Sequence, residues 1–459
     1  MIEITTNVEK LKEELILILK LFYSEKEIEY RDDFIALTLS GHRLTLNFND
    51  ERYYKKIDNE SQILTKEIKK KAKALLYKVL SKKTGKSFKY GALTGIRPTK
   101  LFYDLLDEHK VLCKVRRILK NEYFVSKDAI NLLESIVKNQ NYVKNDSIVD
   151  LYINIPFCTS KCYYCSFISM PLAKCKQYVK PYIDALKKDI LDALSIIEKN
   201  GYSIDSIYMG GGTPTALSAD ELEEILKLLP KVNELTVECG RPDTITKDKL
   251  EVLEKYGVTR ISVNPQTFND KTLKEIGRNH TSAETEEIYN LARKFSFDIN
   301  MDLIAGLGNE SFNDFKFSLD KALSFKPDNI TVHTLCKKRA SSLNLDGGET
   351  SGQDEVEKMV EYSIKQIIGN GYLPYYLYKQ KNAIANLENI GYAKPGKFCE
   401  FNIDSMEEIR TIIACGANAI SKKYTIKSNR IERFAFVKEP KEYIERLDEA
   451  LIKRRELFK

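Results

Sequence analysis

Cys158, Cys162 and Cys165 are separated by three and then two residues in Pro156-Phe157-Cys158-Thr159-Ser160-Lys161-Cys162-Tyr163-Tyr164-Cys165-Ser166-Phe167. Thiols at this density point to metal or redox chemistry. A structural zinc site uses four ligands in two close pairs, and Cys113, Cys175, Cys239, Cys336, Cys399 and Cys415 are all solitary. Cys162-Tyr163-Tyr164-Cys165 can be read as a redox dithiol pair, which leaves Cys158 without a role. Three thiolates on one short loop suit an iron-sulfur cluster with one iron left without a protein ligand. An open coordination position is what a catalytic metal site requires. Gly210-Gly211-Gly212-Thr213-Pro214-Thr215 is a second such stretch, a tight turn at which a ligand can approach the main chain closely.

These residues need a scaffold, and the pattern around them supplies one. Val149, Leu151, Ile153 and Ile155 alternate with Asp150, Tyr152 and Asn154, as in a half-buried strand. The cysteines then sit just past a strand's C-terminal end, where α/β proteins place chemistry. Short apolar runs recur at 151–155, 206–209, 235–238, 261–264, 299–304 and 330–333, with helical periodicity at 178–198, 219–229, 248–256, 283–295 and 312–325. Six strands joined by helices in right-handed crossovers give an α/β fold with a parallel sheet, either doubly wound or curled into an incomplete barrel. Glu238, Gln266, Asp302 and His333 fall at successive strand ends. Singly, each reads as readily as an ion-pair partner, a loop hydrogen bonder or a satisfied core histidine.

The whole chain of 459 residues exceeds one ordinary core, which stops growing at roughly 250 to 300 residues. Residues 1–145 read as a small α+β domain: helices over 8–22 and 61–80, strands over 34–39 and 44–48, then helices over 105–120 and 125–138. Within it Gly95-Ile96-Arg97-Pro98-Thr99-Lys100 is either a structured turn or an anion-binding loop. Residues 146–340 hold the βα alternation. Residues 341–459 read as a mostly helical region, with helical patterns over 355–369 and 405–412 and an amphipathic, solvated tail helix over 440–457. The 73 basic and 66 acidic groups leave +7, a modest excess that welcomes an anionic ligand without demanding nucleic acid. No basic-then-apolar leader opens the chain and no run approaches the roughly 20 apolar residues of a membrane span. A cytoplasmic protein with reduced thiols is expected.

Three cysteines so spaced after the first strand of a βα array resemble the signature of the radical S-adenosylmethionine (radical SAM) enzymes. The resemblance implies a partial (β/α)6 radical SAM barrel and a 4Fe-4S cluster held by Cys158, Cys162 and Cys165. In that family the free iron chelates S-adenosylmethionine, and an electron cleaves the latter to methionine and a 5'-deoxyadenosyl radical. The Gly-Gly-Gly-Thr-Pro-Thr loop, with Tyr152-Ile153-Asn154-Ile155-Pro156-Phe157-Cys158, is similar to the oxygen-independent coproporphyrinogen III oxidase-like branch. So are Ile261 to Asn269 and Asn300 to Leu307, the former with Asn264-Pro265 where the branch has Gly-Val. Carried over residue by residue, the match implies S-adenosylmethionine contacts from Tyr152, Phe167, Gly211, Gly212, Thr213, Glu238, Gln266, Arg278 and Asp302, with Tyr152 also catalytic. Carboxylates suit ribose hydroxyls, and a guanidinium suits a carboxylate.

Further stretches around Arg97, His333 and Lys338 resemble the HemZ-type coproporphyrinogen dehydrogenases over nearly the whole chain. That resemblance implies oxidative decarboxylation of coproporphyrinogen III to protoporphyrinogen IX in haem biosynthesis. It also implies an electron donor such as flavodoxin or ferredoxin, and one S-adenosylmethionine or two. Arg97, Lys100, His333, Lys338 and Arg339 are the candidate substrate contacts, the four cations as propionate clamps or as plain surface charge. Ser166-Phe167 stands where established dehydrogenases of the branch carry Gly-Cys, and the branch's haem-inserting relatives also lack that cysteine. A haem-binding chaperone, or another radical reaction on a tetrapyrrole such as methyl transfer or ring opening, is the alternative.

Overall fold

The computed structural model describes residues 2–459 except 9, 32, 58–64, 96, 141, 166–169, 337–350, 381–382 and 429. The chain divides into two compact units, Met1–Lys138 and Asn139–Lys459.

The first unit holds a four-stranded sheet, β1 (Glu3–Thr6), β2 (Phe34–Ser40), β3 (Arg43–Phe48) and β4 (Glu51–Lys56), in that order. β1 lies parallel to β2, and the other pairings are antiparallel. Leu44, Leu46 and Phe48 alternate with polar residues and are buried, so period two puts one face of β3 on the core. Helices Leu11–Phe22 and Lys66–Thr84 supply Leu15, Ile18, Leu76 and Leu80 to the same core. Thr65 caps the second helix by accepting from the Ile68 N–H, and Gly85 in the left-handed region ends it.

Among the described residues, the large sheet of the second unit has eleven strands. They are β5 (Ile148–Ile155), β8 (Ser203–Gly211), β9 (Glu234–Val237), β10 (Arg260–Ser262), β11 (Asp298–Ala305), β12 (Asn329–Thr334), β13 (Leu373–Lys379), β14 (Glu388–Ala393), β15 (Thr411–Cys415), β16 (Ile420–Thr425) and β17 (Arg430–Ala435). Between β5 and β8 the short strands β6 (Phe157–Cys158) and β7 (Met170–Pro171) pair only with each other. The order across the large sheet is β13-β14-β12-β11-β10-β9-β8-β5-β15-β16-β17. The six expected strands are consecutive neighbours and run parallel. Helices Leu172–Lys199, Ala219–Leu226, Lys247–Lys255, Ser282–Ala292 and Phe312–Ser324 join them. Ser218, Thr281 and Ser311 begin three of these with reciprocal capping boxes.

The sheet is open at β13 and β17 and curls between them. Tyr152 on β5 and Tyr208 on β8 share a hydrophobic cluster with Tyr375, Tyr376 and Tyr378 on β13, although six strands separate β5 from β13 in the sheet order. Only a curled sheet brings those faces together. Phe401, from helix Glu400–Glu407, stacks on Tyr208 and Tyr152 with ring centroids 4.5 Å and 6.0 Å apart.

Several local expectations are corrected. β5 is covered on both faces: Asp150 and Asn154 are buried along with the aliphatic residues, as befits a central parallel strand. The helix expected over 405–412 is Glu400–Glu407, because Glu408 enters the left-handed region at φ 54° and stops it. Thr411–Cys415 then pairs parallel to β5 as a seventh parallel strand. The tail is two helices, Pro440–Glu445 and Leu447–Leu457, and not one solvated helix. Tyr443, Leu447 and Leu451 are buried, and Arg454 is fully buried in ion pairs to Asp189 and Asp192. Among the described residues no helix is long and apolar enough to cross a membrane.

Candidate active site

Pro156 takes the chain out of β5, and Cys158 follows in β6. Its Sγ lies 3.3 Å from the Thr213 hydroxyl, which ties the first cysteine to the glycine loop. Cys162 and Cys165 share a tight turn in which the Cys165 N–H donates to the Cys162 carbonyl at 3.0 Å. That turn is fastened to the segment after β10. The Tyr163 N–H donates to Ile276 O at 3.0 Å, and the Ser160 hydroxyl to Gly277 O at 2.9 Å. Cys158 and Cys162 are buried and Cys165 half-buried. Among the described residues no three Cys, His, Asp or Glu side chains converge as they would on a single metal ion. A four-iron cluster makes a different demand, since its thiolates bind separate irons.

The glycine loop closes β8 over this turn. Gly212 N–H donates to Ile155 O and Thr213 N–H to Phe157 O, both at 2.7 Å, so the loop is laced to the strand that carries the cysteines. A Cβ at Gly212 would lie 2.4 Å from Phe157 O, and one at Gly211, where φ is +104°, 2.0 Å from Asn154 Oδ1. Only glycine fits either place. Gly210 leaves room in the same way for the Glu238 carboxyl.

Glu238, just past β9, accepts a hydrogen bond from the Tyr208 hydroxyl. Burial pushes its carboxyl up to about 7, with Asp302 adding to the rise while Tyr208 and the Gly211 N–H oppose it. Asp302 on β11 behaves differently. Burial alone would raise it, yet the His333 imidazole, Asn300 and Thr331 together hold it below the usual carboxylate range. Its Oδ2 accepts from Asn264 Nδ2 and its Oδ1 from Asn300 Nδ2, both at 2.7 Å. His333 Nε2 is 3.7 Å from Asp302 Oδ2, and its Nδ1 is 3.1 Å from the Tyr378 hydroxyl. Two carboxyl groups in one cleft thus differ in readiness to ionise.

Arg278 is buried and fully drawn inward: Nη1 donates to Gly240 O at 2.9 Å and Nη2 to the Tyr164 hydroxyl at 3.1 Å. Tyr164 lies between Cys162 and Cys165, so Arg278 links the strand ends to the cysteine turn. Tyr152 stands beside them on β5, its hydroxyl donating to Asn154 Oδ1 at 3.1 Å. Burial raises its phenol, and Glu238 adds to the rise.

Among the described residues, Ser262 Oγ, Gln266 Oε1 and Arg278 Nε are buried polar atoms of this region without a hydrogen-bond partner. Each such atom costs about 1–3 kcal/mol when left unpaired, a cost that a bound polar ligand removes. Gln266 is also strained, with φ at 66°, and strain of this kind gathers at functional sites. A donor, an acceptor and two carboxylates beside a close-approach glycine loop fit a zwitterionic cofactor with ribose hydroxyls. Three thiols on the adjoining turn fit an iron-sulfur cluster.

Of the expected site residues, the structure gathers Cys158, Cys162, Cys165, Tyr152, Gly211, Gly212, Thr213, Glu238, Gln266, Arg278, Asp302 and His333 at one end of the parallel sheet. Phe167, Lys338 and Arg339 lie outside the described residues. Arg97 and Lys100 belong to the first unit, at the start of helix Pro98–His109. Arg241, Asp243 and Tyr208 were not singled out in the sequence, and Asn264 stood out only as a departure from the branch's Gly-Val. Cys239-Gly240-Arg241-Pro242-Asp243 held one usable signal, a cation and an acid two apart just beyond a strand end.

The Radical SAM superfamily pattern matches residues 152–322. The oxygen-independent coproporphyrinogen-III oxidase-like protein HemZ of Bacillus subtilis (strain 168) is 37% identical over 462 residues, covering 94% of this chain and 92% of that protein. The heme chaperone HemW of the same organism is 33% identical over 193 residues, covering 40% of this chain and 49% of its own. Among solved structures, coproporphyrinogen III oxidase (HemN) from Escherichia coli matches with a TM-score of 0.52 at 22% identity, over 66% of this chain and 70% of that one.

Proposed function

The chain belongs to the radical SAM enzymes of the oxygen-independent coproporphyrinogen III oxidase-like branch, and on that premise we propose that it oxidatively decarboxylates two propionates of coproporphyrinogen III to the vinyl groups of protoporphyrinogen IX. Membership implies a 4Fe-4S cluster and S-adenosylmethionine. In this reading Cys158, Cys162 and Cys165 hold the cluster. The glycine loop receives the S-adenosylmethionine amino group, Arg278 its carboxylate, and Glu238 and Asp302 its ribose hydroxyls, while Gln266 bonds it through the unpaired Oε1. When bound, the pair supplies one-electron chemistry that removes a hydrogen atom from an unactivated carbon. An external one-electron reductant is required, and a one-electron acceptor must take the electron that leaves the substrate with carbon dioxide as each vinyl group forms.

The protein's own groups do the rest. Asp302, kept ionised by His333 together with Asn300 and Thr331, accepts from hydroxyls, whereas Glu238 sits near half protonation at neutral pH and can accept or donate. Tyr208, Phe401 and Tyr152 fill the space beneath the site with stacked rings, which keeps water away from reactive carbon. His333, held through Tyr378, presents an imidazole at the end of β12 to a propionate or a pyrrole N–H. Lys338 and Arg339 are candidate propionate clamps by the resemblance alone.

The observation that carries this reading over haem carriage is length. Similarity to the coproporphyrinogen-III oxidase-like HemZ runs over 94% of the chain, against 40% for the heme chaperone of the same organism and 65% for that of Escherichia coli (strain K12). Anaerobic incubation of reconstituted protein with S-adenosylmethionine and a reductant, with coproporphyrinogen III and haem in parallel, tests it by product mass. Replacement of propionates by vinyl groups is expected. Methionine formed with neither tetrapyrrole changed, together with tight haem binding, would favour the chaperone instead.

A further inference from the structure

Arg241 lies four residues beyond β9, and its side chain is only 4% exposed. One edge of the guanidinium is taken by Asp243: Nε donates to Oδ1 at 3.0 Å and Nη2 to Oδ2 at 3.1 Å. The remaining nitrogen, Nη1, faces the cysteine turn. It donates to Ser160 Oγ at 3.0 Å, to Ser160 O at 3.4 Å and to Cys162 Sγ at 3.5 Å. Thr159 in turn donates its hydroxyl to Asp243 Oδ2 at 3.1 Å. The pair therefore grips Thr159, Ser160 and Cys162, three residues of the loop that connects the first two thiols.

We propose that Arg241 positions the Cys162 thiolate and tunes the redox centre it serves, an inference that rests on the reading of the cysteines as cluster ligands. The physical basis is charge. Reducing a cluster adds negative charge, and a hydrogen-bond donor or cation at a ligating sulfur stabilises the reduced form relative to the oxidised one. Asp243 neutralises the far edge, so the pair acts as a dipole with its positive end on the sulfur. Burial in low dielectric keeps that field from being screened. Lysine supplies the charge without the two-edged fork, so it retains part of the effect.

The test compares the full-length protein with Arg241→Gln and Arg241→Lys after anaerobic reconstitution with iron and sulfide. Bound iron and sulfide per chain are measured first, and then the midpoint potential from the electron paramagnetic resonance signal of the reduced centre at poised potentials. Arg241→Gln should carry wild-type iron at a more negative midpoint, with Arg241→Lys between the two. Loss of iron from Arg241→Gln alone also supports the inference. An unchanged midpoint in an iron-replete Arg241→Gln overturns it, and so does loss of iron from both variants, since lysine keeps the charge. A wild type that takes up no four-iron cluster overturns the reading of the cysteines themselves.

Discussion

Glu238 carries the site's most perturbed acid chemistry. Its carboxyl is raised to about 7 from an ordinary value near 4.5, so between those values the folded protein holds a proton that the unfolded chain has lost. The sign follows: the stability Glu238 contributes is present below about pH 4.5 and is lost as pH rises through about 7. Glu238→Gln stays neutral throughout. Denaturant unfolding of the cofactor-free proteins should therefore show Glu238→Gln gaining on wild type between pH 5 and 8, on the order of 2–3 kcal/mol at 1.36 kcal/mol per unit. Parallel curves would mean the carboxyl is not desolvated. The cysteines were legible from their own spacing after an apolar strand, whereas the roles of Glu238, Gln266, Arg278 and Asp302 were legible only through the resemblance to the branch, each alone reading equally as a structural residue. The contacts of Arg241 and Asn264 were not legible. Their partners, Cys162 and Asp302, lie 79 and 38 residues away, and nothing local records such contacts.

At the scale of elements, the triple glycine is a joint between β5 and β8, and its positions are not equivalent. Gly210 opposes a side-chain carboxyl, whereas Gly212 opposes backbone: a Cβ there would meet Phe157 O at 2.4 Å and Ile155 O at 2.9 Å. A carboxyl can rotate away, but backbone laced by hydrogen bonds cannot. Gly212→Ala should cost about 1–3 kcal/mol in unfolding free energy and lower S-adenosylmethionine binding in equilibrium dialysis, because Phe157 leads directly into Cys158. Wild-type stability and binding in that variant would show the joint to be looser than drawn. The six parallel strands were readable as short apolar runs between helical periods. β13, β16 and β17 were not, because Leu-Pro-Tyr-Tyr-Leu-Tyr-Lys, Ile-Ser-Lys-Lys-Tyr-Thr and Arg-Ile-Glu-Arg-Phe-Ala mix charge and tyrosine with few aliphatics. β17 is an exposed edge strand with β16 beside it, where such composition is tolerated, whereas β13 buries its tyrosines and so shows no polar-apolar alternation.

Across the molecule, the residues after the parallel array complete it. β15 extends the sheet beside β5, and Phe401 with Tyr375 and Tyr376 fills the hollow of the curl. Arg454 fastens the last helix to Leu172–Lys199 through Asp189 and Asp192. A polar, +7 surface hid this role of the tail, whose basic residues read as solvated until Arg454 proved to be buried. The whole arrangement converges on one loop, and the account stands or falls on its three thiols. The most direct measurement is the 5'-deoxyadenosine released from S-adenosylmethionine by anaerobically reconstituted protein and reductant, for wild type and for Cys158→Ala, Cys162→Ala and Cys165→Ala. Wild type should release it steadily and each variant should fall to the level of the protein-free control. Release by any folded single variant at the wild-type rate would contradict the account.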